Sequence, residues 1–392
     1  MRTLFRSTES TNSIASSPRI LFFAKFPPPH TGMTIATDTF ANLLREEIDI
    51  DRIDTSFGRI RPDEIDREWV KYHIFFAGQL VKDYAVLRRR LQQSDYDTFY
   101  FVASPSVLGH WRNRVALEIA RPYVSRVVAH VHNGNFAQVF EQTGTSRSAR
   151  RMSDLVDTFV FTSRLLSNRT EGYISASKRT VAPNTIDKQV RCSEATVNAK
   201  IKERSREHSL RVLHLSNMIE TKGYRDVAEA VEQFNIDGGE ATVDFVGDWP
   251  SSQARGRFMG QLSQYSHADA MQVHGRITDR ERLRHMMLGA DVFVLPTYYP
   301  NEAQPISIIE MLNAGTPVVA TEHAAIPEYV FDDENGYLVG KQSPSQIKRA
   351  LDALSDRSNW EEKARAARWT YREMFSPEAV QEAMLRAVRE TE

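Results

Sequence analysis

The feature that most constrains the fold is a repeated alternation between short apolar segments and longer segments with helical spacing. Short runs rich in β-branched and aromatic residues are typical of strands buried on both faces of a parallel sheet. A first series of such runs covers 19–24, 98–103, 126–132, 158–163 and 179–184, and a second covers 210–216, 242–247, 270–275, 291–297 and 316–321. Segments between them, such as 66–92 and 108–121, carry apolar residues at three- and four-residue spacing. The two series predict two doubly wound α/β domains.

The length agrees with this organisation, because 392 residues exceed what one hydrophobic core usually covers. The polar stretch 198–209 has almost no apolar content and separates the two series, so we place the domain boundary there. The predicted divisions are a flexible tail over 1–18, an N-terminal domain over 19–205, a C-terminal domain over 206–370 and a final helix over 371–392.

Composition excludes several classes of protein. Fifty basic and fifty-one acidic side chains leave a formal net charge of -1, so no global field is available to hold nucleic acid. The single cysteine, Cys192, excludes an intramolecular disulfide framework and a zinc cluster built on cysteines. No apolar segment is long enough to cross a bilayer, and the first eighteen residues lack the apolar core of a secretory signal. We therefore expect a cytoplasmic protein.

One local charge asymmetry stands out. Residues 111–151 contain seven arginines against two acidic residues, Glu118 and Glu141. Solvated helix faces would account for this pattern. The alternative is a basic surface that meets anionic lipid headgroups or a phosphorylated acceptor, which would place the protein peripherally on the inner face of the plasma membrane.

The segment 291–330 carries the most informative motif. A buried strand ends at Pro296, a loop follows, and a helix is predicted to begin near 305–307. In an open parallel sheet this is where ligands bind, and a helix N-terminus suits a phosphate. Glu302 and Glu310 flank the helix start, and carboxylates bind vicinal hydroxyl pairs well. A nucleoside diphosphate sugar offers ribose hydroxyls, phosphates and sugar hydroxyls in that order, although spacing alone also fits two surface glutamates.

The residues around the two glutamates carry a family resemblance. EAQPISIIE from Glu302 to Glu310, the following MLNAGTPVVAT and the IPE of 326–328 resemble the E-x7-E signature of retaining glycosyltransferases with the GT-B fold, in glycosyltransferase family 4. The resemblance extends from about residue 19 to 375 and is detailed in the C-terminal half. It implies two Rossmann-like domains that face each other across a cleft, with the C-terminal helix returning to the first domain.

The resemblance also implies roles for individual residues. Glu310 is expected to hold the ribose hydroxyls of the donor, Glu302 the hydroxyls of the transferred sugar, and Lys222 the diphosphate. The family's arginine position is occupied by Asn217, which removes one positive charge but keeps a hydrogen-bond donor. The backbone around the helix start is expected to face the distal phosphate, and these positions are Gln304, Pro305, Ile306 and Ser307.

Further positions match more locally. Gly32, in the loop KFPPPHTGMTIAT, resembles the family's glycine loop, and Gly247 and Arg276 lie in segments that surround the nucleotide, with Arg276 near the base. His132 aligns with the histidine that contacts the donor sugar near the reacting centre, so Glu302, Lys222 and His132 form the predicted catalytic set. The predicted acceptor-binding residues are His130, Asn133, Thr162 and Asn184.

The implied reaction is retaining transfer of a hexosyl group from a nucleoside diphosphate sugar to an acceptor hydroxyl. The donor expected first is a UDP-sugar and second GDP-mannose, and the acceptor is a saccharide or lipid-linked saccharide in polysaccharide or glycolipid biosynthesis. The family is metal-independent, so neither a metal nor another cofactor is expected.

Three other functions are alternatives to glycosyl transfer. Asn217 favours a non-catalytic nucleotide-sugar-binding partner subunit, because it weakens the diphosphate site. A GT-B epimerase would share the fold. A dinucleotide-dependent oxidoreductase would need G-x-G-x-x-G after the first strand, where this chain has KFPPPHTGMT.

Overall fold

The computed structural model describes residues 18–28, 31–56, 69–204 and 209–389, with the side chains of 69–76 left out. Apart from its last residue, the tail predicted over 1–18 lies outside the described residues, as do two residues of the predicted glycine loop, Pro29 and His30. Within the described ranges the chain builds two parallel six-stranded sheets, which confirms the predicted α/β class.

The first sheet has the order β2-β1-β3-β4-β5-β6 and is parallel throughout. Its strands are β1 (Arg19–Ala24), β2 (Asp49–Asp54), β3 (Thr98–Ala103), β4 (Arg126–Val131), β5 (Thr158–Phe161) and β6 (Arg179–Val181). Its helices are α1 (Gly32–Leu44), α2 (Trp69–Gln93), α3 (Val107–Ala120), α4 (Ser146–Leu155) and α5 (Arg164–Asn168). Alternate residues of β1 enter two separate cores, Ile20 and Phe22 in one and Leu21 and Phe23 in the other. The strand is therefore buried on both faces, as its apolar sequence predicts.

The second sheet has the order β12-β11-β10-β7-β8-β9, also parallel throughout. Its strands are β7 (Leu210–Leu215), β8 (Ala241–Val246), β9 (Met271–Gly275), β10 (Val292–Leu295), β11 (Val318–Thr321) and β12 (Gly336–Val339). The accompanying helices are α6 (Glu194–Arg204), α7 (Tyr224–Ile236), α8 (Ser252–Leu262), α9 (Arg280–Gly289), α10 (Ile306–Asn313), α11 (Pro344–Ser355) and α12 (Arg357–Phe375).

The last helix, α13 (Pro377–Val388), returns to the first sheet. Val380 and Met384 enter the same core as Ile20 and Phe22, and the Gln381 side chain donates to the carbonyl of Leu43 at 2.9 Å. The chain changes domain at the break between α12 and α13, so the predicted return of the C-terminal helix is confirmed. Among the described helices, none combines the length and apolar content needed to cross a membrane.

Helix α6 packs against helices α9 and α12 of the second domain, although the sequence assigns residues up to 205 to the first domain. The Lys200 ammonium donates to the carbonyl of Ala314 at 3.0 Å and to the hydroxyl of Thr316, and the Arg204 guanidinium pairs with the buried carboxylate of Asp291. These cations look solvated in the sequence, but their partners lie about a hundred residues further along the chain. The domain boundary expected from local composition therefore lies one helix later in the chain than the packing of α6 indicates.

Two strands, β2 and β12, are absent from the sequence prediction. Both are edge strands of their sheets. In β2, DIDRID, four of six residues are charged, because one strand partner and one buried face suffice at an edge. In β2 the edge position therefore removes the continuous apolar run by which the central strands are recognised.

Candidate active site

A cleft of about 540 Å³ opens between the two sheets, at the carboxyl ends of their strands. The second sheet contributes the segments that follow β7, β8 and β10, and the first contributes those that follow β1 and β4. In the second sheet the chain order reverses between β7 and β10, and such a switch point is where open α/β sheets bind ligands. The position of the cleft thus follows from the topology.

Lys222 and Glu302 form an ion pair inside this cleft. The Lys222 ammonium donates to Glu302 Oε2, which also accepts a hydrogen bond of 2.9 Å from the Thr297 hydroxyl. The same ammonium lies 5.2 Å from the centroid of the Tyr299 ring. The two charged side chains are 13% and 9% exposed, so both are held by the protein while lining the cleft.

Glycines fix the backbone beside these charged groups. Gly223, directly after Lys222, has φ +78°, and a Cβ there would lie 2.7 Å from the carbonyl oxygen of Pro296. A Cβ on Gly247, at the end of β8, would lie 1.6 Å from the carbonyl oxygen of Ser216. Both positions therefore require glycine, the first for its conformation as well as for space. A Cβ on Gly32 would meet Ile306 at 4.0 Å, an ordinary contact across the cleft.

Helix α10 begins at Ile306, as the sequence predicts, with Pro305 as N-cap and no side-chain cap. Pro305, Ile306 and Ser307 line the cleft, so the first turn presents an uncapped helix N-terminus to a ligand. Gln304 ties this turn to the first domain. The Gln304 side-chain oxygen accepts a hydrogen bond of 2.6 Å from the backbone N–H of Asn184. The Gln304 backbone carbonyl accepts one of 3.1 Å from the side-chain amide of Asn184.

Glu310 lines the far end of the cleft and is paired with Arg280 from α9. Arg280 Nη2 donates to Glu310 Oε1 at 2.9 Å, and Arg280 Nε lies 3.4 Å from Asp187 Oδ2. Among the described residues no hydrogen bond to Glu310 Oε2 is formed, so this atom can accept one from a ligand. Burial raises the pKa of the Glu310 carboxyl, while the charge and the hydrogen bond of Arg280 act in the opposite direction and the charge of Asp187 adds to the rise.

His132 enters the cleft from the end of β4 with a neutral ring. Burial lowers the pKa of His132 to about 4, although its contact with Asn184 acts in the opposite direction. Among the described residues, its Nε2 atom has no hydrogen-bond partner. His130 lies beneath it, with ring centroids 3.9 Å apart, and Tyr100 contacts His130 Nδ1. His132 can therefore offer a neutral hydrogen bond to a sugar, and His130 supports it from within the core.

The structure brings most of the predicted residues together. The cleft is lined by Gly32, His132, Asn184, Asn217, Lys222, Gly247, Arg276, Glu302, Gln304, Pro305, Ile306, Ser307 and Glu310. Among the predicted acceptor residues, His130 and Thr162 do not line it. Both are buried behind it, and Asn133 lines a neighbouring pocket instead.

The arginine-rich segment 111–151 does not form one continuous basic surface. Arg114 pairs with Glu118 at 2.7 Å, and Arg121 lies 3.3 Å from Asp157. Arg126 donates to the hydroxyl of Thr158. Three arginines of the seven are exposed, all on α4, namely Arg147, Arg150 and Arg151.

Several residues that surround the cleft are not predicted from the sequence. Arg280 gives no sequence signal, because its partners Asp187 and Glu310 lie far away in the chain. Thr297 and Tyr299 lie in the loop of the glutamate motif and could have been found by following that loop outward from the strand. Gly134 is hidden as well: a Cβ there would lie 1.6 Å from the carbonyl oxygen of Glu302 in the other domain.

Two parallel α/β domains facing a cleft, with the charged site at the switch point of the second sheet, define the GT-B class of glycosyltransferase fold. Residues 197–371 match the family described as glycosyl transferases group 1. The matched range begins inside α6, in agreement with the packing of that helix in the second domain.

Curated relatives match parts of the chain. The putative colanic acid biosynthesis glycosyltransferase WcaL of Escherichia coli is 29% identical over 150 residues, which are 37% of this chain and 36% of that protein. The GDP-mannose-dependent alpha-(1-6)-phosphatidylinositol monomannoside mannosyltransferase of Mycobacterium tuberculosis is 26% identical over 285 residues, 69% of each chain. The match to the first of these relatives thus spans about a third of its length.

Solved structures share the whole architecture. The structure of Anabaena HepE in complex with UDP-glucose superposes with a TM-score of 0.69 over 94% of this chain and 98% of that one, at 16% sequence identity. At this identity the likeness shows a common fold and leaves substrates to be argued from the site itself.

Proposed function

We propose that this protein is a retaining glycosyltransferase that moves a sugar from a nucleoside diphosphate sugar to an acceptor hydroxyl in polysaccharide or glycolipid biosynthesis. The observation that carries the proposal is the convergence of Lys222, Glu302 and His132 at one cleft, beside an uncapped helix N-terminus. The presence of all three residues in one cleft favours catalysis over a binding-only subunit.

The donor fits the cleft in an extended arrangement. Glu310 Oε2 accepts from a ribose hydroxyl, the diphosphate lies between Lys222 and the first turn of α10, and Glu302 accepts from hydroxyls of the transferred sugar. Asn217 and Gly247 line the wall next to the diphosphate, and Asn217 can donate a neutral hydrogen bond there. This order matches the order of hydroxyl and phosphate groups along the donor.

The chemical step breaks the bond between the anomeric carbon and the diphosphate oxygen and forms a bond to the acceptor oxygen on the same face. The leaving phosphate takes the proton of the acceptor hydroxyl. Lys222 and the helix N-terminus stabilise the negative charge that develops on the diphosphate, so no metal is required for that role. Neither glutamate acts as a nucleophile, and the two-carboxylate scheme of glycosidases does not apply.

A UDP-sugar is the first donor candidate and GDP-mannose the second. The HepE complex with UDP-glucose supports the first through the shared fold. The mycobacterial relative that uses GDP-mannose supports the second through sequence similarity over 69% of the chain. A thermal-shift panel with UDP, GDP and ADP separates the two, since the correct nucleotide alone stabilises the folded protein strongly.

The test of the proposed function combines this panel with two variants. In Glu310→Ala the selective thermal shift should disappear, because the ribose loses its acceptor. In Glu302→Ala the nucleotide shift should persist while transfer from the matching nucleotide sugar falls by at least tenfold, about 1.4 kcal/mol of transition-state stabilisation. The anomeric coupling constant of the product reports retention, and assays with and without a chelator report metal independence.

No shift with any nucleotide, or transfer by Glu302→Ala close to the wild-type rate, would contradict the proposal. An inverted product or loss of activity on chelation would leave the fold assignment intact and overturn the retaining or metal-independent mechanism. Arg282→Ala provides a matched control, because Arg282 is exposed on α9, the helix that contains Arg280.

We also propose that the first domain docks on an anionic membrane through α3 and α4, which pack against each other. Val107, Leu108, Trp111 and Val115 on α3 are all exposed large apolar side chains. Three of them are spaced four residues apart and therefore share one helix face. The exposed arginines of α4 complement anionic headgroups, while the apolar face suits the interface below them.

Co-sedimentation with anionic vesicles tests this docking. Replacing Arg147, Arg150 and Arg151 by Gln should weaken binding about a hundredfold at low salt, since each arginine contributes roughly 1 kcal/mol near such a surface. The control exchanges two exposed arginines of α12, Arg365 and Arg372, for Gln and should leave binding unchanged. Equal binding by both variants would overturn the docking surface.

A further inference from the structure

A second pocket, of about 520 Å³, lies in the first domain next to the donor cleft. It is lined by Lys25 after β1, Ser104 and Ser106 after β3, and Asn133 after β4. In the first sheet the chain order reverses between β1 and β3, so this pocket occupies the switch point of its own domain. His132 lines both the pocket and the cleft and therefore marks where they join.

Two cations line this pocket. Lys25 comes from the segment after β1 and Arg112 from α3. Burial is the main cause that lowers the pKa of the Lys25 ammonium, and the positive charge of Arg112 is the second cause. The two cations therefore lie close to each other. An anion placed between the two cations would be attracted by both.

The neighbouring carboxylates do not occupy the pocket. Asp54 acts on Lys25 and Asp83 acts on Arg112, but neither lines the pocket. Among the described residues no carboxylate forms an ion pair with Arg112, whose Nε and Nη2 atoms donate to the Asn113 side chain at 3.2 Å and 3.0 Å. The guanidinium is thus held in a fixed orientation by a neutral group and keeps its charge for a ligand.

We infer that this pocket binds an anionic group of the acceptor, of the phosphate class, and thereby holds the acceptor hydroxyl against the donor sugar at His132. The inference rests on the proposed glycosyl transfer and adds the chemical class of the acceptor. Lys25 and Arg112 supply the positive charge, and the hydroxyls of Ser104 and Ser106 supply neutral donors suited to phosphate oxygens.

A phosphate of this kind could belong to a lipid headgroup or to a soluble sugar phosphate. Leu108 lines the pocket and is also 56% exposed on the apolar face of α3. The pocket therefore borders the surface that docks on the membrane. We expect a phosphate that carries acyl chains to bind more tightly than the same phosphate without them, because the chains would lie along that face.

The test uses the full chain saturated with UDP, so that the donor phosphate site is already filled. Glycerol 3-phosphate, its uncharged match glycerol, and dihexanoyl phosphatidic acid are titrated by calorimetry. Glycerol 3-phosphate should bind and glycerol should not. Lys25→Gln and Arg112→Gln should each weaken glycerol 3-phosphate binding at least tenfold, while UDP affinity stays within twofold and the melting temperature reports folding.

Arg88→Gln, an exposed arginine on α2, is the control and should change neither affinity. The inference would be overturned if neither pocket substitution changed the affinity for glycerol 3-phosphate. It would also be overturned if glycerol bound with the same affinity as glycerol 3-phosphate. Absence of UDP binding by the wild-type chain would instead contradict the proposed donor site, so the two failures are distinguishable. Tighter binding of dihexanoyl phosphatidic acid, reduced by Leu108→Ser, identifies a lipid source, whereas equal affinities identify a soluble one.

Discussion

At the scale of single residues, Arg280 pairs with Glu310 at the end of the cleft where we propose that the ribose binds. Burial raises the pKa of the Glu310 carboxyl, and Arg280 counteracts that rise. A protonated carboxyl loses acceptor capacity and holds a diol less well. We therefore propose that Arg280 is a positioning residue, which opposes protonation of Glu310 and orients its carboxylate.

Arg280→Gln should shift the acidic limit of nucleotide binding to higher pH, because the pKa of Glu310 rises when the positive charge is removed. A group whose pKa is raised on folding contributes stability below its unfolded pKa and loses that contribution as pH rises through its folded pKa. The free energy of unfolding of the variant should therefore be lower at neutral than at acidic pH, by about 3 kcal/mol. Melting temperatures and UDP affinities measured across pH 4 to 8 follow both effects.

Arg282→Gln, on the same helix but exposed, should give a pH profile parallel to that of the wild type. A parallel profile for Arg280→Gln would show that Arg280 is only structural. Arg280→Lys should restore part of the profile, since a lysine supplies the charge but not the planar geometry.

The same residues show what a sequence can reveal about a site. Glu302, Glu310 and Lys222 stand in local motifs, and the structure places all three in one cleft. Arg280 and Arg112 carry no motif, and their importance comes from neighbours supplied by distant segments. Asn217 lines the cleft as expected from its position, although it replaces the arginine of the family pattern.

At the scale of elements, the sequence predicts the strands that are buried on both faces of a sheet and fails to predict two strands at sheet edges. The central strands appear as continuous apolar runs, whereas the edge strand β2 is mostly charged. Helix α6 shows the reverse error, because its buried Lys200 and Arg204 look like solvent-facing charges. Pairing with groups on other elements decides these cases, and a single sequence contains no record of such pairing.

At the scale of the whole molecule, hydrogen bonds from backbone N–H groups hold the two domains together beside the proposed catalytic residues. The Glu328 carboxylate, from the IPE segment of the second domain, accepts hydrogen bonds from the backbone N–H groups of Arg164, at 3.0 Å, and Leu165 at the start of α5. The Gly134 N–H donates to the carbonyl of Asn301 at 3.3 Å. His132 belongs to one domain and Lys222 with Glu302 to the other, so these contacts assemble the site.

Glu328→Ala should therefore reduce turnover about tenfold while leaving UDP affinity within twofold, because the nucleotide is held mainly by the second domain. Each hydrogen bond to a charged carboxylate contributes roughly 1.5–3 kcal/mol, enough to shift an equilibrium between closed and open domains. Gly134→Ala should act in the same way by forcing apart Gly134 and Glu302, whereas Gly78→Ala, with open space around it, should have no effect. Turnover and the solution radius of gyration measure the outcome. If Glu328→Ala and Gly134→Ala both kept the wild-type turnover and radius of gyration, these contacts would not govern domain closure.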